Sequence, residues 1–250
     1  IPLSIIAIMM NQTMGTNLSG IPPKPSCFDS NTIIKNDNIS IENINVGDYI
    51  DDDNYITAKM KMSTNNEKLY NINNVYVTGE HKLYNNDSTI FIKDHKLSKI
   101  TDNKNFKLYN INTSNKNIEL NKINFCDYDE MTSNEILKLR NVFKNNTNTK
   151  PKSLEFIHHY FDGGFHETTL IKLIDGKYKT IKDINCDDIL DGFNRVIGVV
   201  EIKGDDLYHS LCYNKTNDIY ASANISLIHL GKEKSMYDIS TIYDETIKPK

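Results

Sequence analysis

The chain has no C-x-x-C pair, and its 250 residues hold only four scattered cysteines, Cys27, Cys126, Cys186 and Cys212. That scatter argues against a zinc site or a disulfide framework and points to free thiols in a reducing compartment. There is no basic excess either. The formal net charge is −4, which leaves no footprint for nucleic acid. No apolar run reaches the roughly twenty residues needed to cross a bilayer. The longest, Ile1–Met10, covers about half of that and follows no basic region, so it does not have the architecture of a secretory signal. It reads either as the trailing end of a membrane helix or as a sticky tail, and membrane association is expected only through the flank before Ser19. The chain opens on Ile1 rather than methionine, as a piece of a longer polypeptide would. His158, His159 and His166 have no cysteine or carboxylate at ligand spacing, and the adjacent pair points apart on a strand. No metal and no cofactor are expected.

What is present fits an ordinary soluble globule, with 38% apolar and 25% charged residues. Residues 11–26 are small, polar and proline-rich (Pro22, Pro23, Pro25) and read as an extended linker. From Cys27 the pattern becomes short alternating runs separated by Asn, Asp and Gly, which predicts an all-β domain. Strands are predicted at 32–35, 39–44, 49–51, 55–62, 69–70, 75–78, 107–112 and 118–120, with a hairpin over 84–94. One helix is predicted over 132–145. Thr132 and Glu135 form a capping box ahead of an apolar stripe of Ile136, Leu137, Leu139, Val142 and Phe143.

The pattern then repeats. Phe165–Lys172 parallels Phe28–Lys35, and Ile181–Leu190 parallels Ile41–Ile50, with Asp188 on Asp48. Asn194, Val196, Gly198, Val200 and Ile202 match Asn54, Ile56, Ala58, Met60 and Met62 at one offset. Leu207–Tyr208 repeats Leu69–Tyr70, and 219–222 repeats 75–78. An ordered series of such matches implies two related halves, 27–105 and 164–232, around an insertion at 106–163 and followed by a tail at 233–250. In the second half Gly164 stands on Cys27, Ser222 on Thr78 and Ile225 on His81. The scaffold is doubled, but the nucleophile and the histidine occur once.

Those single-copy residues suggest one chemistry. A thiol that attacks its own preceding carbonyl needs an accessible sulfur, a polarised amide, a proton for the departing amine and donors for the oxyanion. Cys27 supplies the sulfur, and Ser26 leaves the carbonyl open. His81 is the candidate to protonate the Cys27 nitrogen, because imidazole titrates near neutrality. Thr78 lies three residues earlier, at a bend where Gly79 allows an unusual backbone, and its hydroxyl can hold the amide or orient the imidazole. His95 beside Asp94 is a second candidate proton-transfer pair.

Cys27 followed by Phe28 and Thr32, the Val46–Gly47–Asp48 turn and the Thr78-x-x-His81 element together resemble the Hint superfamily of inteins, hedgehog autoprocessing domains and their relatives. The likeness spans about 27–230. Segments at 77–83 and 91–95, with the acidic-aromatic run Asp127–Tyr128–Asp129–Glu130, are similar to Hint domains of large DNA viruses and protists. The resemblance implies a pseudo-two-fold horseshoe of short strands and a thioester at Cys27. Its partners are then its own upstream polypeptide as substrate and water or a small nucleophile as acceptor, with the domain expected to be monomeric. A splicing intein ends in His–Asn, whereas Ile228–His229–Leu230 has no asparagine after the histidine, so cleavage without splicing is expected. The Asp127–Glu130 cluster also reads as a helix-proximal acidic turn serving only solubility, and two alternatives stay open for the whole chain: an inactive structural scaffold, and a splicing intein whose C-terminal junction lies beyond Lys250.

Overall fold

Alternating β-branched and aromatic residues broken by Asn, Asp and Gly favour short strands and tight turns, and the protein is all-β. The structure is a computed structural model. It describes residues 3–11, 26–35, 38–63, 67–85, 88–102, 107–127, 164–204, 208–211, 218–221, 225–229 and 231–236. The helix expected at 132–145, most of the linker, Asp129, Glu130, His158, His159, Cys212 and the tail after 236 lie outside the described residues.

β1 (Leu3–Asn11) precedes both halves, and the first half contains β2 (Phe28–Asp29), β3 (Ile33–Lys35), β4 (Ile39–Ser40), β5 (Ile56–Ser63), β6 (Leu69–Ile72), β7 (Val75–Thr78), β8 (Lys82–Asn85), β9 (Ser88–Phe91) and β10 (Lys99–Ile100). β11 (Lys107–Thr113), β12 (Asn117–Leu120) and β13 (Ile123–Cys126) follow. The second half adds β14 (Phe165–His166), β15 (Leu170–Lys172), β16 (Tyr178–Thr180), β17 (Ile189–Leu190), β18 (Asn194–Gly204), β19 (Tyr208–Leu211), β20 (Asp218–Ala221), β21 (Ser226–His229) and β22 (Lys232–Ser235). The main sheet runs β10-β6-β7-β2-β11-β5-β18-β1-β14-β20-β19, and β12-β13-β8-β9 form a second, four-stranded sheet. Between these sheets Phe28, Ile56, Ile72, Val77, Leu83, Ile111, Ile118 and Phe125 pack into the principal core.

The repeat is visible as geometry. β5 and β18 pair antiparallel with Met60 opposite Val200, which are equivalent residues of the two halves. Ala58 opposite Ile202 and Met62 opposite Gly198 are exchanged by the same local two-fold. The turn before each central strand is made by the same hydrogen bonds. The Gly47 and Asp187 N–H groups donate to Ile56 and Val196 carbonyls, both at 2.8 Å. The Asp48 and Asp188 carboxylates accept the N–H of Asn45 (2.9 Å) and Asn185 (2.8 Å). Gly47 has φ +93°, and Asp187 adopts φ 79° at the matching place, one of the side chains that tolerate the left-handed region. Hence the Gly in the first turn answers a backbone requirement that the second half meets with aspartate.

One expectation changes here. The apolar run at the start forms a nine-residue strand, β1, inside the sheet. A continuous apolar run suits a strand that has a neighbour on each side just as well as it suits a helix.

Candidate active site

Cys27 lies immediately ahead of β2 and is fully buried among Leu69 of β6, Leu108 of β11 and Met62 of β5. Its thiol donates to Met62 Sδ at 3.6 Å. The peptide joining it to Ser26 is gripped at both ends by residues distant in sequence. The Cys27 N–H donates to Thr78 Oγ1 at 2.9 Å. The Ser26 carbonyl oxygen accepts from Asn110 Nδ2. A third bond, from the Thr78 N–H to the Cys27 carbonyl (2.8 Å), zips β7 to the start of β2. The Asn110 carboxamide has only one workable orientation. Its Oδ1 accepts the N–H of Ile111 at 2.8 Å, so the NH₂ must face Ser26.

His81 ends a tight turn in which its N–H donates to the Thr78 carbonyl at 3.2 Å. The ring is fully buried, 4.4 Å from Phe28 and 5.6 Å from Phe125, centroid to centroid. Nε2 lies 3.0 Å from the Cys126 carbonyl oxygen. A carbonyl only accepts, so Nε2 carries hydrogen and Nδ1 of the neutral ring is a bare acceptor. Nδ1 is buried and has no hydrogen-bond partner. Burial lowers the imidazole pKa to about 4, opposed by the smaller effect of the Cys126 carbonyl. His81 is therefore neutral at pH 7, and the residue expected to donate a proton rests as a proton acceptor. Burial, followed by the Glu67 carboxylate, pushes the Cys27 thiol far above the ordinary range, so the thiol rests protonated.

Gly79 has a reason other than the one its sequence context suggests. It is absent from the residues with positive φ. A Cβ there would stand 2.7 Å from Tyr70 Cε2 and 3.1 Å from Lys93 Cβ. The glycine is needed for space, which lets the Thr78–His81 turn sit against β6. Gly79→Ala is expected to cost about 1–3 kcal/mol by displacing the Tyr70 ring, read as a lowered midpoint in urea unfolding.

Asp94 and His95 do not join this group through any hydrogen bond among the described residues. They end a short 3-10 turn, Ile92–Asp94, where Asp94 is exposed and His95 Nδ1 accepts the N–H of Leu97 at 3.3 Å. The turn supports His81 from behind, because the Ile92 N–H donates to the His81 carbonyl at 2.8 Å. Asp127 does not fit the reading of its cluster as an acidic turn serving only solubility. It is buried, and its carboxylate accepts the Thr113 N–H at 3.0 Å, fastening the end of β13 to β11. His166 Nδ1 lies 2.7 Å from Thr168 Oγ1.

Sequence reasoning missed Asn110, one of many asparagines in an asparagine-rich chain. A signal was nonetheless present. Asn is disfavoured in strands, yet Asn110 sits between Tyr109 and Ile111 in a stretch buried on both faces. A polar residue in that position needs a partner, and here one of them is the Ser26 carbonyl. Asn110→Ala is expected to slow any reaction that builds negative charge on that oxygen by about 10²–10³-fold. Unchanged cleavage kinetics in a variant that unfolds normally would remove Asn110 from the site.

No protein-family model, no curated protein and no solved structure matches this chain.

Proposed function

We propose that the chain is a Hint-type autoprocessing domain that cuts itself between Ser26 and Cys27. The Cys27 thiol leaves its bond to Met62 Sδ and turns to the Ser26 carbonyl carbon, which Sγ attacks as the thiol proton passes to His81 Nδ1. The oxyanion that forms faces Asn110 Nδ2. The tetrahedral adduct collapses by breaking the C–N bond, and His81 returns the proton to the Cys27 nitrogen. The products of this step are a Ser26 thioester on Cys27 and a free amine. Water or another nucleophile then attacks the thioester, which breaks the covalent link to the upstream chain and regenerates the thiol. Splicing is not part of the proposal, because no asparagine follows His229.

The observation that carries this reading is the double grip on a single peptide bond. Thr78 holds its nitrogen and Asn110 its carbonyl oxygen, and the next side chain is a thiol. The protonation states support it. A thiol raised by burial and an imidazole lowered by burial make a separated thiolate–imidazolium pair costly. Proton transfer is accordingly concerted with formation of the S–C bond. The test is to fuse a reporter ahead of Ile1 and follow the products by mass spectrometry. A break at Ser26–Cys27 that accelerates with added thiol is expected. A fusion that stays intact with thiol at neutral pH would leave the inactive-scaffold reading in its place.

A further inference from the structure

We infer that the segment ahead of the scissile bond is a permanent strand of the domain, so that cleavage leaves a two-piece complex holding its own product. Retention as a consequence of cleavage rests on the cut proposed above; the structural part of the inference does not.

β1 is the counterpart of β11. In the first half, β11 lies between β2 and β5; in the second half, β1 lies between β14 and β18. The registers correspond residue by residue. Leu108, Asn110 and Asn112 stand opposite Met62, Met60 and Ala58, while Ile5, Ala7 and Met9 stand opposite Ile202, Val200 and Gly198. These partners are the equivalent residues of the repeat. On the other edge, Leu108 and Tyr109 pair with Asp29 and Phe28, and Ile5 and Ile6 pair with His166 and Phe165, again equivalents. Even the irregularity recurs, between Asn112 and Thr113 in one strand and between Met9 and Met10 in the other. A sticky tail laid against an open edge has no reason to reproduce a register and a bulge on two neighbours at once. Residues 3–11 therefore complete the second half as β11 completes the first, although they lie on the far side of the cut from everything else in the sheet.

A strand held on both edges is a ligand of the β-addition type, bound through main-chain hydrogen bonds. Its loss would leave β18 and β14 with unpaired backbone edges in the middle of a sheet. The chemical step thus separates the covalent chain without separating the pieces. The partner that fits the slot between β18 and β14 is the released product itself, an apolar extended peptide.

The experiment runs two cuts in parallel. In the wild-type protein the chain is left to cut itself. In a Cys27→Ala background a site-specific protease sequence placed within 12–25 is cut by the added protease. Size-exclusion chromatography and native mass spectrometry should show both pieces travelling together in buffer and apart in denaturant. Pieces that separate without denaturant after the protease cut overturn the inference. Failure of self-cutting with retention after the protease cut sinks only the proposed function. Ala7→Pro removes a main-chain donor from the middle of β1 and should speed release by roughly 10–100-fold; an unchanged release rate overturns the inference. If Ala7→Pro does not fold, amide hydrogen exchange on the uncut protein decides. Amides of 5–9 should be protected to the degree of 108–112, and exchange at the rate of a free peptide overturns the inference.

Discussion

Cys27→Ala is expected to abolish cleavage of a reporter fused ahead of Ile1, with a rate loss of about 10⁶-fold, the scale seen when a nucleophile is removed from an acyl-transfer site. Among the described residues the sulfur has no stand-in. The other described cysteines are Cys126, whose carbonyl faces His81, and Cys186, whose thiol donates to the Lys61 carbonyl at 3.6 Å. The second half carries Gly164 at the matching position. Cys27→Ser separates nucleophilicity from packing, since a hydroxyl keeps nearly the same volume among Leu69, Leu108 and Met62. It should fold with a stability loss of about 1–3 kcal/mol for the buried hydroxyl and cleave far more slowly, and added thiol should no longer accelerate release through a thioester. Cleavage at Ser26–Cys27 that survives Cys27→Ala would mean that another group cuts the bond and would end the acyl-shift mechanism.

Much of the fold was legible because its devices are local. The Gly47–Asp48 and Asp187–Asp188 turns, the alternating strands and the constant spacing between Asn54–Met62 and Asn194–Ile202 each leave a mark within a few residues. Cys27, Thr78 and His81 stood out as candidates for a different reason. The second half shows the same scaffold without them, so the repeat is an internal control. What escaped was non-local. Asn110 joins the candidate site only because β11 runs between β2 and β5 and so lies beside the Ser26 carbonyl. β1 escaped because a nearly continuous apolar run carries no period to tell strand from helix. Its place follows from symmetry in the sheet rather than from likeness in sequence, since Ser4–Met10 shares little with Lys107–Thr113. Asp94 and His95 were attractive as an acid–imidazole pair, but at the end of a 3-10 turn Asp94 is exposed and the half-buried His95 ring accepts the Leu97 N–H.

His81→Gln is expected to slow the acyl shift by about 10²–10⁴-fold. The glutamine amide can still donate to the Cys126 carbonyl, so the box formed by Phe28 and Phe125 is kept and only the base at Nδ1 is lost. The pH dependence distinguishes a base from a spacer. In the folded protein His81 titrates near pH 4, below its ordinary value of about 6.5. Its neutral form is present from the upper end of the pH range down to about 4, so its capacity to accept the thiol proton should disappear only as pH falls through that value. Stability carries the same signature with a definite sign. Between pH 6.5 and 4 the unfolded chain binds a proton at His81 and the folded chain does not, so this residue's contribution weakens as pH falls through that window. From pH 7 to pH 5 the wild type should lose about 2 kcal/mol on this account, a loss that His81→Gln should not show in paired denaturant titrations. Equal losses in the two proteins would mean that His81 is solvated and ordinary in solution. The bare, desolvated Nδ1 would then have no part in moving the Cys27 proton.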